Sequence, residues 1–475
     1  MNAKVNAQTH ISQDSNTSQS LATRALESFR ALCAIPHCSF HTQDMFSYLS
    51  TTLAHQGYEV QTDEAKNIYA KKGKPLLCLQ SHYDMVCVGD SSKHLGVEII
   101  EKEGFLYAKN SSLGADNGIG MACMLAQNAE NIELLFTNDE EVGMIGANHL
   151  ALSIASPLLL NLDSEDINEI VLGCAGGVDI ECSIALKSFA KPLDSALQSH
   201  PYIYHITSRG FLGGHSGIDI HHNKENAIVE YGFFLAQNDV YILSLNAGEK
   251  RNSIPVGVDS ILLCATPLKP HYATPNGAYF DITPLGSLES LPSRPLFAYH
   301  KDAIVPLICG IHSGVYATST QGTLSSLNLS TLSQKEESLE LVMMARANTD
   351  SFLQRTIARL QSSLAFLNPH CIMRTNGYYS PWEKSIDNHH KALKLLCQIY
   401  KKHSITPHLA QIHAGLECGI LKRQILKYNP HPHFDVLSIG PSIHAPHSCN
   451  ESLDLEHFRI FCAILEEFIA SYTKA

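Results

Sequence analysis

Basic charge is scarce in this chain: 34 Lys and Arg stand against 46 Asp and Glu, a formal net charge of -12 over 475 residues. A nucleic-acid surface needs a basic face to neutralise phosphates, so no nucleic-acid partner is expected. Charged residues of both signs amount to only 17% and apolar ones to 44%, the balance of a well-buried globular protein. No run approaches the roughly 18 apolar residues that span a bilayer, so no membrane partner is expected either. The segment 1–20 is rich in Asn, Gln, Ser and Thr and lacks the apolar stretch of a signal peptide. It reads as a disordered extension of a cytoplasmic protein. Cys-x-x-Cys spacing is missing as well. The 14 cysteines are scattered, some within apolar runs such as Leu76 to Leu79, and are expected as mainly reduced, buried thiols.

What is present is a change of texture along the chain. Leu21, Ala25, Phe29 and Leu32 recur at helical spacing, as do Met45, Leu49 and Leu53, with Gly57 where a helix would stop. Short apolar runs at 58–60, 67–70, 75–80, 132–136 and 157–162 read as strands, with a helix after Asn117. Strands alternating with helices predict an α/β fold: a mixed sheet sandwiched by helices, whose binding crevice lies beyond the strand C-termini. From about Cys182 longer alternating runs and loops rich in Pro and Gly take over, and the α/β pattern returns with helices near 391–402 and 455–471. The length exceeds what one core usually serves. The expected organisation is therefore a catalytic domain of residues 21–180 and 386–475, with an inserted α+β domain at 181–385.

The strand ends carry the chemistry. His82 and Asp84, Asp116, the pair Glu140 and Glu141, Asp163 and a late His447 are residue types that hold hard divalent ions. Five of them, His82, Asp116, Glu141, Asp163 and His447, can bind two zinc-like ions if Asp116 bridges, which leaves Glu140 as a base. Each carboxylate alone is an ordinary surface charge, but several crowded together repel one another unless a cation is present. Asp84, two residues after His82, is expected to hold the imidazole tautomer. Rival chemistries lack their motifs. Gly214-His215-Ser216-Gly217-Ile218 misses the last glycine of a nucleophile elbow, and Cys123 stands at the third glycine of a dinucleotide fingerprint.

At these residues the chain resembles the aminoacyl-histidine dipeptidases, also called Xaa-His or cytosol non-specific dipeptidases or peptidase D, of the di-zinc metallopeptidase clan. The stretches that carry the resemblance include Leu79-Gln80-Ser81-His82-Tyr83-Asp84-Met85-Val86, Leu113-Gly114-Ala115-Asp116-Asn117-Gly118, Asp139-Glu140-Glu141-Val142-Gly143, Asp163-Ser164-Glu165, Gly213 to Gly217, Arg251-Asn252-Ser253-Ile254-Pro255, His413-Ala414-Gly415-Leu416-Glu417 and His447-Ser448. They run in order through almost the whole chain after Ser20. The chain departs from the family pattern after His447, where His-Ser-Pro-Asp-Glu-Arg becomes His447-Ser448-Cys449-Asn450-Glu451-Ser452.

The resemblance implies that His82 and Asp163 hold one ion and Glu141 and His447 the other, with Asp116 between them. It further implies Glu140 as general base, Asp84 as the residue orienting His82, and the inserted domain as a lid and dimer surface. His215 is then expected to reach the substrate or its oxyanion, Arg251 and Asn252 the substrate carboxylate, and Glu417 its free amino group. The resulting expectation is a cytoplasmic, homodimeric hydrolase using two divalent ions, zinc with manganese or cobalt as alternatives. It would cleave dipeptides with a free N-terminus through a metal-bridging hydroxide. An N-acyl amino acid deacylase or tripeptidase on the same site, and a metal-binding protein without catalysis, are the rival expectations.

Overall fold

The computed structural model describes residues 19–474 apart from 94, 288–294, 321, 336, 370 and 429–433. All but the last two residues of the expected N-terminal extension lie outside that range. The chain forms two compact units. The first comprises the chain up to Leu172, Ser385–Leu409 and the part from Ile420 onward; the second comprises Gly173–Lys384 and Ala410–Gly419.

In the first unit, the parallel strands Ile132–Thr137, Leu77–His82, Leu158–Asn161 and Asp435–Ser438 lie side by side at the centre of an eight-stranded sheet. Glu59–Thr62 and Ile68–Lys72 extend one edge antiparallel, so the sheet is mixed. Every residue of Leu77–His82, Ile132–Thr137 and Leu158–Asn161 is buried. Leu79, Leu134, Phe136 and Leu160 join a core with the helices Leu21–Cys33, Ala115–Leu125, Lys391–Lys402 and Leu455–Tyr472. The alternate residues Cys78, Leu135 and Leu159 face the other way and are buried too, so both faces are covered. That explains the continuous apolar runs. Ser20 caps the first helix by accepting from Thr23 N, and Gly57, at φ 84°, takes the left-handed turn that ends the helix Gln43–His55.

The second unit is built on a twelve-stranded sheet whose described pairings are antiparallel. Its long strand Gly322–Gln334 pairs with Ser338–Ala347, which pairs in turn with Gly176–Ala185, and Cys371–Tyr379 forms the edge. In the strand Gly322–Gln334, rich in Ser and Thr, Leu327, Leu329 and Leu332 pack on the core while the residues between them are polar. Helices Ala227–Ala236, Val305–Gly310 and Asp350–Leu367 cover that core, with Tyr231, Phe234 and Phe280 clustered at its centre.

The cysteines are mainly reduced and buried, as expected, with one pair bonded. Cys38 and Cys87 form a disulfide, because a bridge between Cys38 and Met85 brings their segments together with Cα atoms 5.5 Å apart. The other twelve cysteines are free, and most of them are buried.

Candidate metal centre

Parallel pairing places the C-terminal ends of Leu77–His82, Ile132–Thr137 and Leu158–Asn161 at one edge of the first unit's sheet. His82 ends the first, Glu140 and Glu141 follow the second, and Asp163 follows the third. Asp116 enters from the start of the helix Ala115–Leu125, and His447 from the loop before the last helix. The helix can pack this close because Gly120 carries no side chain: a Cβ there would lie 1.9 Å from Asn117 Oδ1 and 2.9 Å from Leu162 O.

Asp116 lies between two histidines. Its Oδ1 is 3.1 Å from His82 Nε2 and its Oδ2 is 3.0 Å from His447 Nε2. Asp163 Oδ1 is 3.3 Å from His82 Nε2, and Glu141 Oε1 is 2.8 Å from His447 Nε2. Two triads result, His82–Asp116–Asp163 and Asp116–Glu141–His447, each with its donor atoms within 4.8 Å of one another. A zinc ion with ligands at 2.0–2.1 Å separates adjacent tetrahedral donors by about 3.3 Å. These donors thus already stand close to the spacing that an ion imposes, and the set is all nitrogen and oxygen. The residues fit two divalent ions that share Asp116.

The electrostatics agree. Burial pushes Glu141 up to about 7, with the Asp116 charge adding to it, and burial raises Asp163 as well. Burial works against charge on the two histidines, yet Asp163 and Asp116 hold His82 well above the imidazole range. Hydrogen bonds to Asp116 and Glu141 hold His447 at about 11. The carboxylates attract any positive charge within reach, as expected of a cation site. Glu165, two residues after Asp163, is pushed up to about 8 by burial and by the same carboxylates.

Asp84 meets His82 through both its backbone and its side chain. Its backbone carbonyl, 3.0 Å from His82 Nδ1, orients the ring, while its carboxylate stays 3.5 Å away. That carboxylate also accepts from Glu140 N at 2.9 Å, Glu141 N at 3.3 Å and Ser39 Oγ at 2.7 Å. One wholly buried residue therefore fixes both the His82 ring and the Glu140–Glu141 turn. Glu140 is half-buried, and its carboxylate belongs to a further group with His82 and Glu141 within 4.8 Å. Asn117 Nδ2 donates to Asp163.

The sequence pattern of the peptidase family M20/M25/M40 matches residues 78–471. The chain belongs to that family. Cytosol non-specific dipeptidase of Escherichia coli (strain K12) is 30% identical over 93% of this chain and 96% of its own length. The crystal structure of aminoacylhistidine dipeptidase from Vibrio alginolyticus shares 25% identity, with a TM-score of 0.73 over 96% of this chain and 99% of that one. A tripeptidase from Staphylococcus aureus, at 14% identity and a TM-score of 0.58, shares the fold.

The remaining expected site residues of this M20 peptidase lie in its second unit. His215 sits in a two-residue strand paired with Ser253, its Nδ1 accepting from Gly217 N and Ile218 N and its Nε2 3.5 Å from Arg346 Nη2. Arg251 is bound to Asp179 at 2.6 Å, Asn252 is exposed, and Glu417 is wholly buried. Two residues that the sequence did not single out join His215. Arg346 is 4% exposed, donates to Tyr379 Oη at 2.6 Å, and has no acceptor for its Nε among the described residues. His413, buried between Ser326 and Asn348, is pushed down to about 3 by burial and then by Arg346, His221 and His215. Gly217 lets this cluster close up, since a Cβ there would meet His413 O at 2.3 Å.

Proposed function

We propose that this M20 peptidase is a metal-dependent dipeptidase that cleaves short peptides with a free N-terminus, using two divalent ions. The observation that carries the reading is Asp116, with one carboxylate oxygen facing His82 and the other facing His447. The relatives named as dipeptidases support the choice of substrate. His82 and Asp163 would hold one ion, Glu141 and His447 the other. Bound ions would supply Lewis acidity and bring the pKa of a shared water towards neutrality. Glu140 accepts the proton of the attacking water and delivers it to the leaving amine, held in place through its own backbone N–H on Asp84. Asp84 keeps the His82 ring in its ligating tautomer.

Arg346 and His215 offer donors suited to an anion, and the reading gives them the peptide carboxylate or the developing oxyanion. Arg251, Asn252 and Glu417 remain the proposed secondary contacts, the last for the amino group. Zinc is the ion of choice, with manganese and cobalt compatible with the same oxygen and nitrogen donors. A homodimer through the second unit is supported by exposed apolar side chains, Ile372 at 59% on its edge strand and Phe366 at 87% on the helix Asp350–Leu367; sedimentation at micromolar concentration tests it. A cytoplasmic location rests on the relative named for the cytosol, and cell fractionation tests it. No helix among the described residues is long and apolar enough to cross a membrane.

The test is a panel of Ala-His, Gly-Leu, Cys-Gly and an N-acetylated dipeptide, offered to the wild type and Glu140→Ala with metal content measured on both. Cleavage of the free-amine peptides alone, lost in a Glu140→Ala protein that keeps its ions, is the expected result. Cleavage of the acetylated compound would move the enzyme to the deacylases, and bound ions without turnover would leave a binding protein.

A further inference from the structure

We propose that Glu451 is a positioning residue for the ion site: its buried carboxylate grips four consecutive backbone N–H groups and so fixes the bridging Asp116 relative to His447. The proposal rests on the two-ion reading and extends it to a residue outside the ligand set.

Glu451 is only 2% exposed. Its Oε2 accepts from Leu113 N at 2.8 Å and Gly114 N at 2.9 Å, and its Oε1 from Ala115 N at 2.8 Å and Asp116 N at 3.2 Å. No Lys, Arg or His pairs with it among the described residues, so backbone donors alone satisfy its buried carboxyl oxygens. Those donors lie on the turn that leads into the helix Ala115–Leu125, where Asp116 and Asn117 depart from helical geometry and the N–H groups need partners from outside the helix. A residue capping its own helix would satisfy one or two of them. Glu451 takes all four, across more than 330 positions of sequence.

The attachment point of Glu451 ties it to a second ligand. It stands four residues after His447, on a turn closed by Glu451 N to Ser448 O at 3.2 Å, Ser448 Oγ to Ala445 O at 2.8 Å and Asn450 N to Ser448 Oγ at 3.1 Å. His447 itself holds a left-handed backbone at φ 58°, which a non-glycine residue keeps only when its surroundings enforce it. One carboxylate thus ties the backbone of the shared ligand to the loop of a ligand from the far end of the chain. Movement of Asp116 would disturb both triads at once, because both include it.

The first unit contains its own control. Glu133 is wholly buried and accepts from Tyr69 Oη at 2.5 Å, Ser156 N at 2.7 Å and Ala155 N at 3.2 Å, but it sits near the start of the strand whose far end leads to Glu140. A merely structural role for Glu451 predicts that the two sites respond alike.

The experiment is a zinc competition titration against a chromophoric chelator, without substrate, on the wild type, Glu451→Gln, Glu451→Asp and Glu133→Gln, with Tm measured for each. An amide at 451 turns two donors towards two N–H groups. Glu451→Gln is expected to weaken zinc binding by about 10- to 100-fold, as loss of a group supporting a ligand does, and its dipeptide turnover should recover in excess zinc. Glu451→Asp should fall between it and the wild type, and it carries the test if the Gln variant does not fold. Glu133→Gln should lower Tm and leave zinc affinity within threefold of the wild type. Unchanged zinc affinity in both Glu451 variants, or an equal loss in Glu133→Gln, overturns the proposal. A wild type that binds no zinc at all fails the ion-site reading itself, a result visible before any variant is made.

Discussion

The two units hold histidines in opposite electrostatic settings. In the first, His82 and His447 lie among Asp116, Asp163 and Glu141, and the carboxylates pull their pKa values up, that of His447 to about 11. In the second, His413 lies near Arg346, His215 and His221, and burial with those charges pushes it down to about 3. Carboxylates outweigh burial around the first pair, whereas around His413 burial acts first and the neighbouring cations add to it. The first set suits a cation, and the Arg346 guanidinium in the second suits an anion. The net charge of -12 conceals both.

The largest expected effect comes from breaking the acidic cluster at its shared member. Asp116→Ala should lose high-affinity binding of both ions and reduce dipeptide turnover to background, as followed by metal analysis after dialysis and a hydrolysis assay. Asp163→Ala, by contrast, should leave one ion bound. In the cationic cluster, Arg346→Met should raise KM for dipeptides by about 10- to 100-fold, the equivalent of losing one hydrogen bond to a charged group of about 1.5–3 kcal/mol. Zinc stoichiometry should not change in that variant. An unchanged KM would remove Arg346 from substrate binding.

The smallest effect is on pH dependence, and its sign differs between the clusters. His413 is neutral in the folded protein down to about 3, while an unfolded histidine takes a proton near 6.5. The unfolded state then binds more protons between those values, so stability falls as pH drops below about 6.5. His413→Gln should flatten the decline in Tm between pH 7 and pH 4. The raised histidines act in the reverse sense in the ion-free protein. Their contribution is complete below about 6.5 and is lost as pH rises through the folded value, which is about 11 for His447. Zinc must displace those protons, so its apparent affinity should rise between pH 6 and pH 8. Affinity that falls over this interval would contradict the assignment.

Much of the metal centre was legible because strand-end chemistry is local. A buried parallel strand needs a continuous apolar run, so a polar residue at its end, such as His82 or Asp163, stands out. Asp116 and His447 were legible through the family resemblance carried by the residues around them. Glu451 was in view only as part of a segment that departs from that pattern. Its four partners are some 335 residues away, and no spacing rule connects them. Arg346 was missed as a single polar residue in a mixed run, and His413 was in view only as the first residue of a stretch that carries the resemblance; contacts formed in the fold, His413 with Ser326 and Asn348 and Arg346 with His215, gather them. The role of Asp84 was half legible. Its proximity to His82 follows from the sequence, whereas the use of its backbone carbonyl for His82 and its carboxylate for the Glu140–Glu141 turn depends on the folded loop. The Cys38–Cys87 disulfide had no signal, because 49 residues separate two cysteines that only the fold makes neighbours.

The most direct test of the central claim is the number of zinc ions bound per chain after chelation, dialysis and reloading, measured on the wild type, Asp163→Ala and Asp116→Ala. Two ions are expected in the wild type, one in Asp163→Ala and none held tightly in Asp116→Ala. A wild type that saturates at one ion, or an Asp116→Ala protein that still binds two, would contradict the shared-carboxylate site on which the proposed activity depends.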